Sequence, residues 1–141
     1  MICPGCKSQT IVVERNKIEL DYCPRCRGVW FDSGELDLLL TSLSMGACSA
    51  FISDILAGTE NKSTEKSRRC PHCAQKMRKS TVGEDPKIMI DACRRGDGLW
   101  FDAGELDNLL KQLAQKPAVG PECDRKISEF LGEVFQAHHN A

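Results

Sequence analysis

The chain has 141 residues, nine of them cysteine, with 19 Lys and Arg against 20 Asp and Glu and a net charge of −1. That balance excludes a chain-wide polyanion binder, and no run approaches the ~20 apolar residues of a membrane span. The cysteine density requires either disulfides or metal. No charged leader and apolar run precede Cys3, so no signal peptide is expected, and a cytoplasmic chain with reduced, metal-directed thiols is the reading adopted.

Cys3-Pro-Gly-Cys6 is the first CxxC. Thr10 to Glu14 is β-branched and strand-like, and Arg15-Asn16-Lys17 reads as a turn. Ile18, Leu20 and Tyr22 then alternate with Glu19 and Asp21, the period of a half-buried strand that delivers Cys23-Pro-Arg-Cys26. Val29-Trp30-Phe31 reads as a third strand. Asp32 is the expected N-cap of a helix, with Glu35 completing a capping box. Leu36, Leu39, Leu40 and Leu43 form one apolar face, and Trp30 is expected in the core beneath Leu36. A second helical stretch runs from about Cys48 to Ala57, ended by Gly58. Residues 59–69 contain no apolar residue and read as a linker.

The pattern then repeats. Cys70-Pro-His-Cys73 is followed by a strand from Met77 to Val82, a turn at 83–86, and alternating Ile88, Ile90 and Ala92. Cys93, Leu99-Trp100-Phe101 and Asp102 follow, then Glu105 and a second leucine face at Leu106, Leu109, Leu110 and Leu113. Trp100 is expected beneath Leu106. Pro117 to Pro121 breaks the helix, and a last helix runs from about Cys123 to Ala137. Equivalent residues are 67 apart at Cys3 and Cys70, 70 apart at Trp30 and Trp100, and 75 apart at Cys48 and Cys123. The insertions fall in the hairpin and at the Pro-rich break, where loops tolerate them.

The expected fold is α+β: two tandem small zinc ribbons, three-stranded antiparallel hairpin sheets, each followed by two short α-helices. The boundaries are 1–58, a linker at 59–69, and 70–141. Units of about 60 residues have marginal apolar cores, which a metal can reinforce.

Paired CxxC turns supply four thiolates to one ion. Cys3, Cys6, Cys23 and Cys26 form such a set, closed to chemistry. Zn²⁺ is preferred over disulfides, free thiols or iron, the last a minor alternative on the same ligands. The second set has Cys70, Cys73 and Cys93, but Gly96 aligns with Cys26. Asp97, one residue on, is the preferred fourth donor. Water or no stable metal comes next, then His72, His138 or His139, then Cys123. Cys48 and Cys123 read as small packing residues. No catalytic residue is assigned, and the chain is not expected to be an enzyme.

The blocks CPRCRGVWFDSGELDLL at 23–39 and CRRGDGLWFDAGELDNLL at 93–110 resemble the transcription factor IIB-type zinc-finger family, with its CPxC…CPxCxGxWxDxGEL pattern. The resemblance covers residues 3–40 and 70–110 and departs at Gly96. It implies kinship with the ribbon of a transcription factor.

The functional expectation is a zinc-binding, non-catalytic module that recognises another macromolecule, with a transcription-related role. A protein partner is favoured. Residues 62–95 hold ten Lys and Arg against four Asp and Glu, which leaves nucleic acid as a weaker candidate. Two alternatives stand beside this reading. One is a zinc-stabilised homodimer joined by the leucine faces. The other is a metal or redox sensor acting through the second site.

Overall fold

The computed structural model describes residues 1–15, 17–46, 68–82, 88–115 and 122–136. The strands are β1 (Ile11–Arg15), β2 (Ile18–Tyr22), β3 (Val29–Asp32), β4 (Arg78–Val82), β5 (Ile88–Ala92) and β6 (Gly98–Phe101). They form one antiparallel sheet in the order β1-β2-β3-β6-β5-β4. β1 and β2 pair from Ile11↔Tyr22 to Arg15↔Ile18, and β4 and β5 from Arg78↔Ala92 to Val82↔Ile88. The halves join through β3 and β6, with Val29↔Phe101, Trp30↔Trp100, Phe31↔Leu99 and Asp32↔Gly98 in register. The two repeats therefore share one sheet.

Alternate residues on a strand face opposite sides, and both faces of the central strands β3 and β6 are covered. Val29, Phe31, Leu99 and Phe101 face three helices: α1 (Glu35–Ser42), α2 (Glu105–Ala114) and α3 (Glu122–Leu131). The leucines foreseen on α1 and α2 are buried there, as are Ile127 and Phe130 of α3. Phe31 and Phe101 meet edge-on across the junction, ring centroids 5.7 Å apart. This apolar layer runs unbroken across both halves and is the main core.

Trp30 and Trp100 lie on the other face, with Cys3, Cys23, Cys70, Cys93 and Met77. This corrects the expectation that they pack beneath Leu36 and Leu106. In each strand the neighbours at Val29 and Phe31, or Leu99 and Phe101, take the helix side, so alternation sends the tryptophan to the opposite one. The unbroken apolar runs Val29-Trp30-Phe31 and Leu99-Trp100-Phe101 carry that signal, because a strand covered on both faces has no polar alternation.

The helix starts also differ from expectation. Gly34 and Gly104 are the N-cap residues, in left-handed conformation with φ 87° and 82°, and neither helix has a side-chain cap. Asp32 and Asp102 turn their carboxylates back to the preceding tryptophans instead. Trp30 Nε1 donates to Asp32 Oδ1 at 2.8 Å, and Trp100 Nε1 to Asp102 Oδ1 at 3.0 Å. A buried indole N–H requires an acceptor, and the aspartate two residues on supplies it. The reach-back half of the second box does form: the Asp102 N–H donates to Glu105 Oε1 at 2.7 Å.

α3 passes into a π-helical turn at Gly132–Gln136 rather than continuing as regular helix. The helix expected at 48–57, residues 59–67 of the linker, the turn at 83–86 and the 117–121 break lie outside the described residues, as do Cys48, His138 and His139.

Candidate metal centres

Each of the three CxxC pairs, and the Cys93-Arg94-Arg95-Gly96 turn that stands in for a fourth, forms a tight knuckle at the end of a ribbon. In three of the four, an N–H four residues on closes the turn on the first cysteine's carbonyl: Lys7 to Cys3 at 3.0 Å, Arg27 to Cys23 at 2.8 Å and Ala74 to Cys70 at 2.9 Å. The closing residue is left-handed each time, with φ 67°, 67° and 63°. The fourth knuckle is tighter. Gly96 closes onto Cys93 from three residues away, at 3.1 Å. The left-handed position moves to Gly96 itself, φ 83°, a conformation glycine adopts without steric cost. The shortened turn brings the next side chain, Asp97, to the place that Cys26 fills in the first ribbon.

In the first centre Cys3 Sγ lies 3.5 Å from Cys26 Sγ, and Cys6 Sγ 3.4 Å from Cys23 Sγ. In the second, Cys70 Sγ is 3.6 Å from Asp97 Oδ2, and Cys73 Sγ 3.7 Å from Cys93 Sγ. Within each set the donor atoms lie within 4.8 Å of one another. Tetrahedral Zn²⁺ with Zn–S of about 2.3 Å has an S···S edge of about 3.8 Å, so both sets fit one such ion. Backbone N–H groups also point at the sulfurs. Gly5 and Cys6 donate to Cys3 Sγ at 3.3 and 3.4 Å, Cys26 to Cys23, His72 to Cys70 and Arg95 to Cys93, each at 3.4 Å. Such bonds stabilise thiolate.

The electrostatics of the free ligands are uneven. Burial pushes the Cys3 and Cys26 thiols up, and Cys70 to about 12. The Ser8 hydroxyl holds Cys6 down at about 6. Desolvation raises Asp97, but hydrogen bonds from the Cys93, Cys70 and Cys73 thiols outweigh it and hold the carboxyl below its ordinary value. Asp97 is therefore anionic and beside three sulfurs at neutral pH.

His72 stands in a knuckle, but its Nε2 meets Asp32 Oδ1 at 3.0 Å, and its ring packs against Trp30. Cys123 is buried in the helix-side core, across the sheet from both centres. Sequence reasoning missed a charge network behind the second centre. Asp91, wholly buried, takes Lys79 Nζ at 2.8 Å and Arg68 at 3.7 Å, and Arg68 also pairs with Asp102. The available signal was the register: Lys79 stands directly opposite Asp91, which is itself opposite Trp100 on the buried face.

Two cysteine-rich clusters on paired knuckles, repeated in one chain, define a metal-binding protein of the zinc-finger class. Residues 2–42 and 69–112, more than half of the chain, match the transcription factor zinc-finger family, the zinc ribbon of TFIIB type, and the protein belongs to that family. No curated protein and no solved structure matches the chain. Among the described residues, no helix is long and apolar enough to cross a membrane.

Proposed function

We propose that this protein is a fused pair of zinc ribbons acting as a rigid, non-catalytic docking module for a protein partner, in a transcription-related role in the reducing cytoplasm. Cys3, Cys6, Cys23 and Cys26 hold one Zn²⁺. Cys70, Cys73, Cys93 and Asp97 hold a second. The ion supplies folding energy by cross-linking two knuckles, as structural zinc does. The observation that carries this reading is the shortened fourth knuckle, which sets Asp97 beside Cys70 as Cys26 sits beside Cys3. Four protein donors in each set leave no open coordination position, which supports a structural rather than catalytic role.

A protein partner is favoured over nucleic acid because the basic segment is partly spent inside the fold. Arg68 and Lys79 neutralise Asp91 and Asp102, and Arg78 is buried. The leucine faces of α1 and α2 are committed to the chain's own core, which counts against a homodimer built on them. The carboxylate donor, where the first set has a fourth sulfur, favours one second reading, in which the second centre releases metal first and acts as a sensor.

Elemental analysis of the intact protein and of Asp97→Ala tests the proposal. The expected result is two zincs falling to one. One zinc in both proteins would overturn the second site, and two in both would remove Asp97 from it. Binding to an arbitrary oligonucleotide with a steep salt dependence would replace the protein partner by nucleic acid.

A further inference from the structure

Neither centre is closed by its own ribbon alone. On an antiparallel pair a long side chain reaches the diagonal neighbour, two residues along the partner strand. Trp30 stands opposite Trp100, so these diagonals are Gly98 for Trp30 and Gly28 for Trp100. A Cβ built on Gly28 falls 2.2 Å from Trp100 Cζ2, and one on Gly98 falls 2.6 Å from Trp30 Cζ2. Each indole therefore occupies the space over a glycine of the opposite ribbon.

The contacts continue to the ligands. A Cβ on Gly5 would be 3.5 Å from Trp100 Cζ2, 3.5 Å from Cys3 Sγ and 3.7 Å from Cys26 Sγ. Trp100, a side chain of the second ribbon, thus lies beside the first four-cysteine set and shares its buried cluster with Cys3 and Cys23. In the mirror arrangement Trp30 packs on His72, ring centroids 5.5 Å apart, between Cys70 and Cys73 in the chain. Asp32 of the first ribbon meets the same imidazole at 3.0 Å. The Ser33 N–H, just past β3, donates to the carbonyl of Asp97 at 3.0 Å. The first ribbon therefore holds the backbone of the residue that completes the second set.

We infer that the two metal centres bind as a linked pair, each finished by groups of the opposite ribbon, so that filling one raises the affinity of the other. This rests on the reading that both sets bind Zn²⁺. The bistable element is the β3–β6 junction. A knuckle that opens on losing its ion withdraws the seat of the opposite tryptophan, and the strand bearing that tryptophan then loosens at the other centre. Trp30 and Trp100 are positioning residues. Coupling of this kind is reciprocal.

The test is competition of Zn²⁺ against a chromogenic chelator on the full chain. It compares wild type with Cys73→Ser/Cys93→Ser, which empties the second set, and Cys6→Ser/Cys23→Ser, which empties the first. The remaining set should bind at least tenfold more weakly than in wild type, by similar factors in both variants. An affinity within twofold of wild type in either variant overturns the linkage. Fewer than two zincs per wild-type chain overturns the two-site reading beneath it. Trp100→Phe gives a crossed readout with Co²⁺, whose thiolate charge-transfer bands distinguish four sulfurs from three. Release from the first set should accelerate about tenfold more than release from the second, with far-UV circular dichroism unchanged. Equal acceleration at both sets, or none, overturns the crossed positioning.

Discussion

Replacing Gly28 by alanine places a methyl where the Trp100 indole now lies. The new carbon would stand 2.2 Å from Cζ2 and 2.6 Å from Cη2 of that ring, far inside the ~3.5–4.0 Å at which two carbons attract. Trp100 is fully buried, so it can clear the methyl only by leaving its rotamer or by shifting β6. Overpacking of this kind costs about 1–3 kcal/mol, and expulsion of the indole would raise that to about 3–5 kcal/mol. Gly98→Ala is harsher, because its Cβ also falls 2.2 Å from the Phe31 carbonyl oxygen. No side-chain rotation relieves a backbone clash, and the β3–β6 pairing must open. Gly5→Ala is the control: its nearest neighbours stand at 3.5 Å, an ordinary contact, and its cost stays within about 0.5 kcal/mol. The assay is thermal unfolding with excess zinc, followed by tryptophan emission. At roughly 3 °C per kcal/mol for a chain of this size, overpacking by Gly28→Ala lowers Tm by roughly 3–9 °C. Gly98→Ala lowers it further, and Gly5→Ala by less than about 2 °C. A Gly28→Ala protein with wild-type Tm and unchanged emission would refute the placement of Trp100 across the first ribbon.

Asp32→Ala leaves the buried Trp30 N–H without its acceptor and costs about 1–3 kcal/mol; because the aspartate serves the indole rather than the helix, Trp30→Phe should absorb most of that cost in a double-mutant denaturation cycle, and additive effects would assign the cost to the His72 contact instead. Lys79→Met strips the nearest cation from Asp91, whose side chain is wholly buried, and costs about 3 kcal/mol; Lys79→Met/Asp91→Leu recovers most of it, and a single variant as stable as wild type in urea would contradict the network. Acid weakens metal binding at the first centre: with Cys3 and Cys26 raised by burial, both are protonated at neutral pH without metal, so binding displaces at least two protons. The apparent zinc affinity then falls about a hundredfold per pH unit on acidification, and chelator competition showing less than tenfold between pH 7.5 and 6.5 would contradict it.

Local features were legible in the residues. Ile18, Leu20 and Tyr22 alternate, and all three are buried on the helix side. The leucines spaced three and four apart on α1 and α2 face the same layer. The CxxC turns are local as well, and Asp97 could be read as a candidate donor because a single residue separates it from the position of Cys26. What could not be read was anything that depends on one half meeting the other. The pairing of Trp30 with Trp100 joins residues 70 apart, and a strand's own periodicity does not name its neighbour. The capping error has the same root. Asp32-x-x-Glu35 satisfies the local rule, but the indole two residues earlier on the buried face claims the carboxylate first.

The junction between β3 and β6 reads the same from either side. Val29 meets Phe101, and their repeat equivalents Leu99 and Phe31 meet in return. That reciprocity is the mark of copies related by a two-fold axis. The chain does within one polypeptide what a homodimer of single ribbons does between two, and fusion frees the assembly from dependence on concentration. It also releases the copies from identity. Ile2 and Val12, exposed on one half, stand where the other carries Arg69 and Lys79, and Cys26 stands where the other has Gly96 followed by Asp97. A symmetric dimer must carry the same donor set twice, whereas a fused pair can keep four cysteines in one half and vary the other.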